Sequence, residues 1–283
     1  MQRIAQAFEK GERLAALVER AKARPAVATA VVHPVDELSI GGMAAAMKAG
    51  LIVPVLVGPA KRIEEAARKA SVDLTGVEII DSPHSHAAAA RAVALAREGR
   101  ASLVMKGALH TDELMAEVVN AANGLRTERR ISHVYALDVP SYHKLLFITD
   151  AAINIAPSLA EKRDIVQNAI ELAIALGVAA PKVAILSAVE TVYPPLKSTI
   201  DAAALCKMAD RGQIMGGLLE GPLAFDNAIS AEAAKAKGLT SPVTGDADIL
   251  VVPDIESGNM LSKQLDYLAG AVAAGVVLGA RVP

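Results

Sequence analysis

Lys106 is the side chain best placed for chemistry in this sequence. It ends the apolar run Leu103–Lys106 and is followed at once by Gly107. A glycine lets backbone approach a bound group closely, and an ammonium beside it is a natural contact for a phosphate or a carboxylate. A lysine that simply reaches into solvent is the competing reading. Arg130 is the second candidate, because Arg130-Ile-Ser132-His133 leads straight into another apolar run. Its guanidinium offers an anion a planar fork of donors. An adjacent pair such as Arg129-Arg130 is also common in solvated loops.

Around these two cations lie groups that hydrogen-bond without carrying positive charge. Thr111 and Ser132 supply hydroxyls, and Asn154 and Asn259 supply amides, all suited to carbonyl or phosphate oxygens. His110 stands beside Thr111. Asp150, Glu220 and Asp226 lie in similar segments, but like charge sets them against a phosphate, so pairing with loop N–H groups or basic residues is their plain reading. Several familiar devices are missing. The sequence has no Gly-x-x-x-x-Gly-Lys-Ser/Thr loop and no Gly-x-Ser-x-Gly turn, and Gly41-Gly42 falls inside a predicted helix. His84 and His86 have no evident third metal ligand. Ser132-His133 and Ser141-Tyr-His143 place hydroxyls beside imidazoles, but adjacent strand residues point to opposite faces.

Short β-branched runs alternate with longer Ala-rich ones. The pattern predicts strands at Ala26–Val32, Val53–Val57, Val77–Ile80, Leu103–Lys106, Ser132–Leu137, Leu145–Thr149, Val183–Leu186, Gly217–Glu220, Ile249–Val252 and Gly275–Leu278. It predicts helices at Ala5–Ala23, Glu37–Ala49, Ala60–Ala70, His86–Glu98, Asp112–Val119, Leu159–Leu176, Thr199–Asp210, Ala231–Lys237 and Ser257–Leu268. Gly50, Gly99 and Gly177 fit C-terminal caps, and Ser158-Leu-Ala-Glu161 has capping-box spacing. Such alternation implies βαβ units and a mostly parallel sheet with helices on both faces. In sheets of that kind ligands bind beyond the carboxyl ends of the strands, which is where the polar segments above fall. The turn-rich Val139-Pro-Ser-Tyr-His143 predicts a boundary between a first α/β lobe, 1–138, and a second, 139–283.

Bulk properties narrow the class. Hydrophobic residues make up 53% of the 283 residues, enough for one large α/β domain or two lobes around a cleft, while the net charge is only −2 and aromatics only 2%. With no basic patch and few stacking platforms, neither nucleic acid nor an anionic membrane surface is an expected partner. The single cysteine, Cys206, permits no internal disulfide. The start of the chain lacks signal-peptide blocks, and Ala269–Ala280 is too short to span a bilayer. A cytoplasmic protein is expected.

Val104-Met-Lys-Gly-Ala-Leu-His-Thr111, Asp150-Ala-Ala-Ile-Asn154-Ile-Ala-Pro157, Gly221-Pro-Leu-Ala-Phe-Asp226, Gly245-Asp-Ala-Asp-Ile-Leu250 and Pro253-Asp-Ile-Glu-Ser-Gly-Asn259 with Lys263 resemble, in order, the signature segments of the phosphate acetyltransferase/phosphate butyryltransferase family. The resemblance runs from about residue 26 onward and is strongest to the shorter members, including those joined to an enoyl-CoA hydratase. It implies a two-lobed α/β fold like that of isocitrate and isopropylmalate dehydrogenases, with a cleft between the lobes, and a homodimer. The implied reaction converts acyl-CoA and phosphate into acyl phosphate and CoA. CoA thiolate attacks the acyl phosphate directly, with no metal or cofactor, and coenzyme A, phosphate and a short acyl phosphate are the partners. Lys106, Gly107, His110, Thr111, Arg130, Ser132, Asp150, Asn154, Glu220, Asp226 and Asn259 form the implied substrate-binding set. Family members continue past a segment like Val277-Leu-Gly-Ala-Arg-Val-Pro283 into a Ser-Arg pair and an Asp that serves as base, and then a helix closing the first lobe. That stretch is expected beyond Pro283, so no catalytic residue is assigned here. A metal-dependent hydroxyacid dehydrogenase on the same fold, an enzyme taking acyl groups from acyl carrier protein, and a non-catalytic CoA-binding module are the alternatives.

Overall fold

The computed structural model describes residues 10–283, which divide into two compact units. One, Val18–Arg129 with Gly279–Pro283, is built on a four-stranded sheet. The other, described residues 10–17 with Arg130–Leu278, is built on six strands. The partition falls inside α1 (Glu12–Lys22), whose expected start at Ala5 lies outside the described residues.

The four-stranded unit holds β1 (Val27–Val32), α2 (Glu37–Lys48), β2 (Ile52–Gly58), α3 (Ala60–Lys69), β3 (Glu78–Asp81), α4 (Ser85–Arg97), β4 (Leu103–Lys106) and α5 (Thr111–Val118). Its sheet order is β3-β2-β1-β4, and every pairing is parallel. Ile40 and Met43 of α2 and Ile63, Ala66 and Ala67 of α3 pack with Val31, Ile52 and Leu56 on one face. The small residues Ala88, Ala89 and Ala92 of α4 are fully buried, which lets that helix lie close to β1 and β2. Because the strands run parallel, the residues after each of them, from His33 to Gly107, share one carboxyl edge.

The six-stranded unit holds β5 (Ser132–Asp138), β6 (Leu146–Thr149), α6 (Leu159–Ala175), β7 (Lys182–Leu186), α7 (Lys197–Asp210), β8 (Leu218–Leu223), α8 (Phe225–Ile229), α9 (Ala231–Ala236), β9 (Ile249–Val251), α10 (Ile255–Tyr267) and β10 (Val272–Leu278). The order is β10-β5-β6-β9-β7-β8. Pairings are parallel from β6 to β8 and antiparallel at β10–β5 and β5–β6. The alternation of the strands feeds two cores. Leu146, Ile148, Ala184 and Leu250 point to the side covered by α8 and α10. Phe147, Val183, Ile185, Ile249 and Val251 point to the side covered by α6 and α7. Each large side chain buried this way contributes about 1.5–3 kcal/mol, and both faces are covered as the continuous apolar runs require.

Two expectations need correction. The sequence places the lobe boundary at 138/139, but the units part between Arg129 and Arg130. The apolar run of β5 reads the same whichever sheet takes it. It pairs with β6 and β10, and Val139–His143 is part of the β5–β6 connection. The last residues also cross back to the four-stranded unit. Val104 N–H donates to the Pro283 carbonyl (2.9 Å), Arg281 N–H to that of Leu125 (2.8 Å), and the Thr127 hydroxyl to that of Gly279 (2.6 Å). The short α8 has no counterpart among the predicted helices, since five residues carry no period to read. No helix among the described residues is long and apolar enough to cross a membrane.

An imidazole sits inside the six-stranded unit. His133 of β5 is 7% exposed, stacks edge-on against Tyr135 (centroids 4.3 Å apart) and leaves Nδ1 sealed without a hydrogen-bond partner. Position 275 on β10 must be glycine to admit it, because a Cβ there would stand 2.6 Å from His133 Nε2. Burial pushes the His133 pKa down, against a smaller opposing pull from Asp150, and His33 in the other unit is lowered by burial as well. Both folded imidazoles therefore resist protonation that the unfolded chain accepts near 6.5, so stability is full above that pH and is lost as pH falls through it. The melting temperature is expected to fall between pH 7 and pH 5.5, and the His133→Gln variant to lose less over that interval than the parent. Identical pH slopes for parent and variant would contradict this.

Candidate functional site

In the six-stranded unit the site begins with a buried anion. Asp150 follows β6 and is 3% exposed. Its carboxylate turns back on its own loop and accepts from the backbone N–H groups of Ala152 (2.9 Å), Ile153 (3.0 Å) and Asn154 (3.2 Å), and from the Asn154 side-chain amide (2.5 Å). This Asx-type turn satisfies a charge that would otherwise be costly to bury. It also fixes Asn154, whose Nδ2 donates a second bond to the Ile131 carbonyl (2.9 Å). That leaves Asn154 Oδ1 as an acceptor in one direction, and it accepts from Arg130 Nε (2.6 Å).

Arg130 is held at several further points. Its backbone N–H donates to Asp164 (2.9 Å), and its carbonyl accepts from Asn168 (2.9 Å). Its Nη1 lies 2.9 Å from Glu161 Oε1, while the other oxygen of Glu161 accepts from the Ser158 N–H and hydroxyl in the capping box that starts α6. The Ser158 N–H, then its hydroxyl, and then the Arg130 charge hold the Glu161 carboxyl below its usual range. The guanidinium is half-exposed and its Nη2 makes no hydrogen bond among the described residues. A fixed cation with free donors suits an oxyanion.

The structure draws distinctions among the expected contacts. Ser132 is fully buried, its hydroxyl accepting from Asn168 (2.8 Å), so it stands behind Arg130 rather than in reach of a ligand. Asp150 and Asn154 have the same supporting character. Asn259 lies in α10 and donates weakly to the Ala151 carbonyl (3.4 Å). That helix rests directly on the 150–154 loop, because Gly258 has no side chain. A Cβ there would stand 2.9 Å from the Asp150 carbonyl oxygen and 2.8 Å from Val252. Glu220 and Asp226 are not gathered with these residues. They belong to β8 and α8, and β8 is separated from β6 by β9 and β7. Glu161, Asp164 and Asn168 hold Arg130 in place, and the residue pattern does not single them out. The capping box marks Glu161 as a helix start, but nothing local shows where its second oxygen points.

In the four-stranded unit Lys106 ends β4 with its side chain exposed, and its Nζ lies 3.4 Å from the Gly107 carbonyl. Gly107 is required by close approach. A Cβ would stand 2.4 Å from the Val32 carbonyl oxygen, whereas the glycine donates to that oxygen at 2.9 Å and Ala108 donates to the His33 carbonyl at 3.0 Å. His110 and Thr111 follow at the start of α5, both exposed. Glu113 accepts from the Ser85 hydroxyl and faces His86 Nε2 at 3.6 Å. His84 Nδ1 accepts from the Ala87 N–H as the N-cap of α4, and among the described residues no three His, Cys, Asp or Glu side chains form a metal-holding group.

Similarity to known proteins agrees with this geometry. Residues 84–283 match the family described as phosphate acetyl/butaryl transferase, a stretch that contains every residue discussed in this section as a candidate ligand contact. The chain is 63% identical over 267 residues to the phosphate acetyltransferase of Rhizobium meliloti, covering 94% of this chain and 84% of that one. It is 40% identical to the phosphate butyryltransferase of Clostridium acetobutylicum, covering 94% and 89%. A solved branched-chain phosphotransacylase from Enterococcus faecalis V583 shares the fold with a TM-score of 0.78 at 30% identity, covering 91% of this chain and 90% of that one. With the signature segments, the sheet edges that carry them and relatives this similar in agreement, the chain belongs to the phosphate acetyl/butyryl transferase family.

Proposed function

We infer that this protein is a phosphate acyltransferase that exchanges a short acyl group between coenzyme A and inorganic phosphate. The observation that carries the reading is Arg130, a half-exposed guanidinium fixed by Asn154 and Glu161 on the edge where the family's signature loop and α10 meet. In the synthetic direction a phosphate oxygen attacks the thioester carbonyl carbon, the C–S bond breaks, and CoA leaves as the thiolate with the electron pair. In reverse, the CoA thiolate attacks the acyl phosphate carbon, and phosphate leaves with the electrons of the C–O bond. Either way negative charge passes through an oxyanion, and donors already in place stabilise it without reorganising.

Arg130 is proposed as a contact for that charge, with Asn154, Asp150 and Ser132 holding it in place. Lys106, with the Gly107 backbone and the Thr111 hydroxyl, is proposed as a contact for phosphoryl oxygens. Asn259 and His110 are retained as substrate contacts, and Glu220 and Asp226 as peripheral members of the set. The reaction as written calls for no metal or organic cofactor. We read the protein as a cytoplasmic homodimer. The exposed Met260 and Tyr267 of α10 and Leu268 just after it support self-association.

The reading is tested by phosphate-dependent release of free thiol from acetyl-CoA and butyryl-CoA. Activity with either substrate is expected, and no release with any acyl chain of two to four carbons (an order set by the family's names, about C2–C4) would overturn it. Lys106→Ala is expected to raise the KM for phosphate or acyl phosphate about 10–150-fold with an unchanged melting temperature, because the side chain is exposed. Unchanged kinetics would return Lys106 to a solvent-facing role. Arg130→Lys keeps the charge but loses the Nε contact to Asn154. It is expected to lower kcat/KM at least about tenfold, and full activity in that variant would remove Arg130 from the mechanism.

A further inference from the structure

His33 in the four-stranded unit is explained by none of the roles above. It follows β1 at the carboxyl edge, is 5% exposed and adopts φ of +53°, a conformation uncommon outside glycine. Its backbone is fully used, with N–H donating to the Val57 carbonyl (2.7 Å) and the carbonyl accepting from Val35 (2.9 Å) and Ala108 (3.0 Å). The ring is less well served, since Nδ1 is sealed from solvent without a hydrogen-bond partner. Gly58 lies close against the backbone of this residue, where a Cβ would stand 3.3 Å from the His33 Cα. A strained residue that also buries an unpaired nitrogen persists where function fixes it. With no acceptor at Nδ1, the ring proton belongs on Nε2, which makes the imidazole a donor.

Titratable groups of three elements act on this imidazole. Arg62 comes from α3, Glu113 from α5 and His84 from the start of α4. Lys106 stands beside Val32 in the β1–β4 register, and its charge is felt by Asp36 at the N-cap of α2. Burial first, then Arg62, lowers the His33 pKa and keeps the ring neutral, with Glu113 pulling the other way. Asp36 is already occupied by Ser39, whose N–H and hydroxyl donate to it (2.8 and 2.6 Å). Lys69 is paired with Glu65 (2.9 Å). Arg62 makes no ion pair among the described residues, and it lines a cavity of about 500 Å³ with Val35, Asp36, Leu38 and Lys69, a volume typical of ligand sites.

We propose that His33, Arg62 and Lys106 form a phosphoryl-binding subsite at the carboxyl edge of the four-stranded sheet, with the His33 imidazole donating to a phosphoryl oxygen and the two cations supplying charge. The proposal rests on the acyltransferase reading for its ligand. A phosphoryl dianion reaches such a site either as inorganic or acyl phosphate, or as the 3′-phosphate of CoA, and the experiment separates these sources.

The test is steady-state kinetics of His33→Asn, which tolerates the left-handed backbone, and of Arg62→Gln, at an exposed position of α3. Arg62→Gln is expected to raise one KM about 10–150-fold, and His33→Asn about 2–10-fold, with kcat changed far less. If the KM for phosphate rises, the subsite takes phosphate or acyl phosphate. If the KM for CoA rises, and 3′-dephospho-CoA weakens the parent but costs the variants nothing further, it takes the 3′-phosphate. Parental KM values for both substrates in Arg62→Gln would overturn the proposal, whether or not His33→Asn folds. A parent protein with no phosphate-dependent acyl transfer would instead refute the functional reading. The subsite is then judged by calorimetric binding of phosphate, CoA and 3′-dephospho-CoA, where equal affinities in parent and Arg62→Gln overturn it.

Discussion

The buried carboxylate of Asp150 is the constraint on which the candidate site of the six-stranded unit depends. An ionised carboxyl removed from water must be met by donors, and here three backbone N–H groups and one amide meet it. Each donor is thereby fixed in turn. The loop takes one shape, the Asn154 amide takes one orientation, and its oxygen accepts from Arg130 Nε. Order passes from a buried anion to a half-exposed cation through one side chain, Asn154. The glycine at 258 is part of the same requirement, since α10 can close over the loop only where no Cβ intervenes.

Strand direction determines which residues meet. Candidate contacts in parallel sheets follow their strands, as Lys106 follows from β4 and Asp150 from β6. Arg130 instead precedes β5. It reaches the edge of Asp150 because β5 runs antiparallel to β6, which brings the start of one strand to the end of the other. In the four-stranded unit all directions agree, and His33, Gly58 and Gly107 meet at one edge by register alone. There the glycines are set by backbone proximity, Gly107 against the Val32 carbonyl and Gly58 against His33.

Much of this was legible in the residues. The ten strands were found as apolar runs because both sheet faces are covered, so burial leaves no polar gaps in them. Helix starts at Glu37, Ala60 and Leu159 carried caps or followed strand ends closely. The partner of β5 was not legible, because a strand buried along almost its whole length carries no mark of direction or neighbour, and the unit boundary moved with it. At the site, residue type identified Lys106 and Arg130, but not the division between contact and support. Ser132 and Asn154 are ordinary ligand-binding residues by type, and only the structure shows the Ser132 hydroxyl taken by Asn168 and the Asn154 side chain taken by Asp150, Ile131 and Arg130. At His33 the sequence shows only a polar residue after a strand, since its unusual features are a backbone angle and an unpaired ring nitrogen rather than its identity or spacing.

The account's central claim is that Asn154 acts on catalysis through Arg130. A double-mutant cycle measures this directly, using kcat/KM for phosphate in the parent, Arg130→Ala, Asn154→Ala and the double variant. The account predicts strong coupling, with Asn154→Ala costing about tenfold or more alone and close to nothing once Arg130 is gone. Losses that simply multiply in the double variant would show that the two residues act independently and would contradict it.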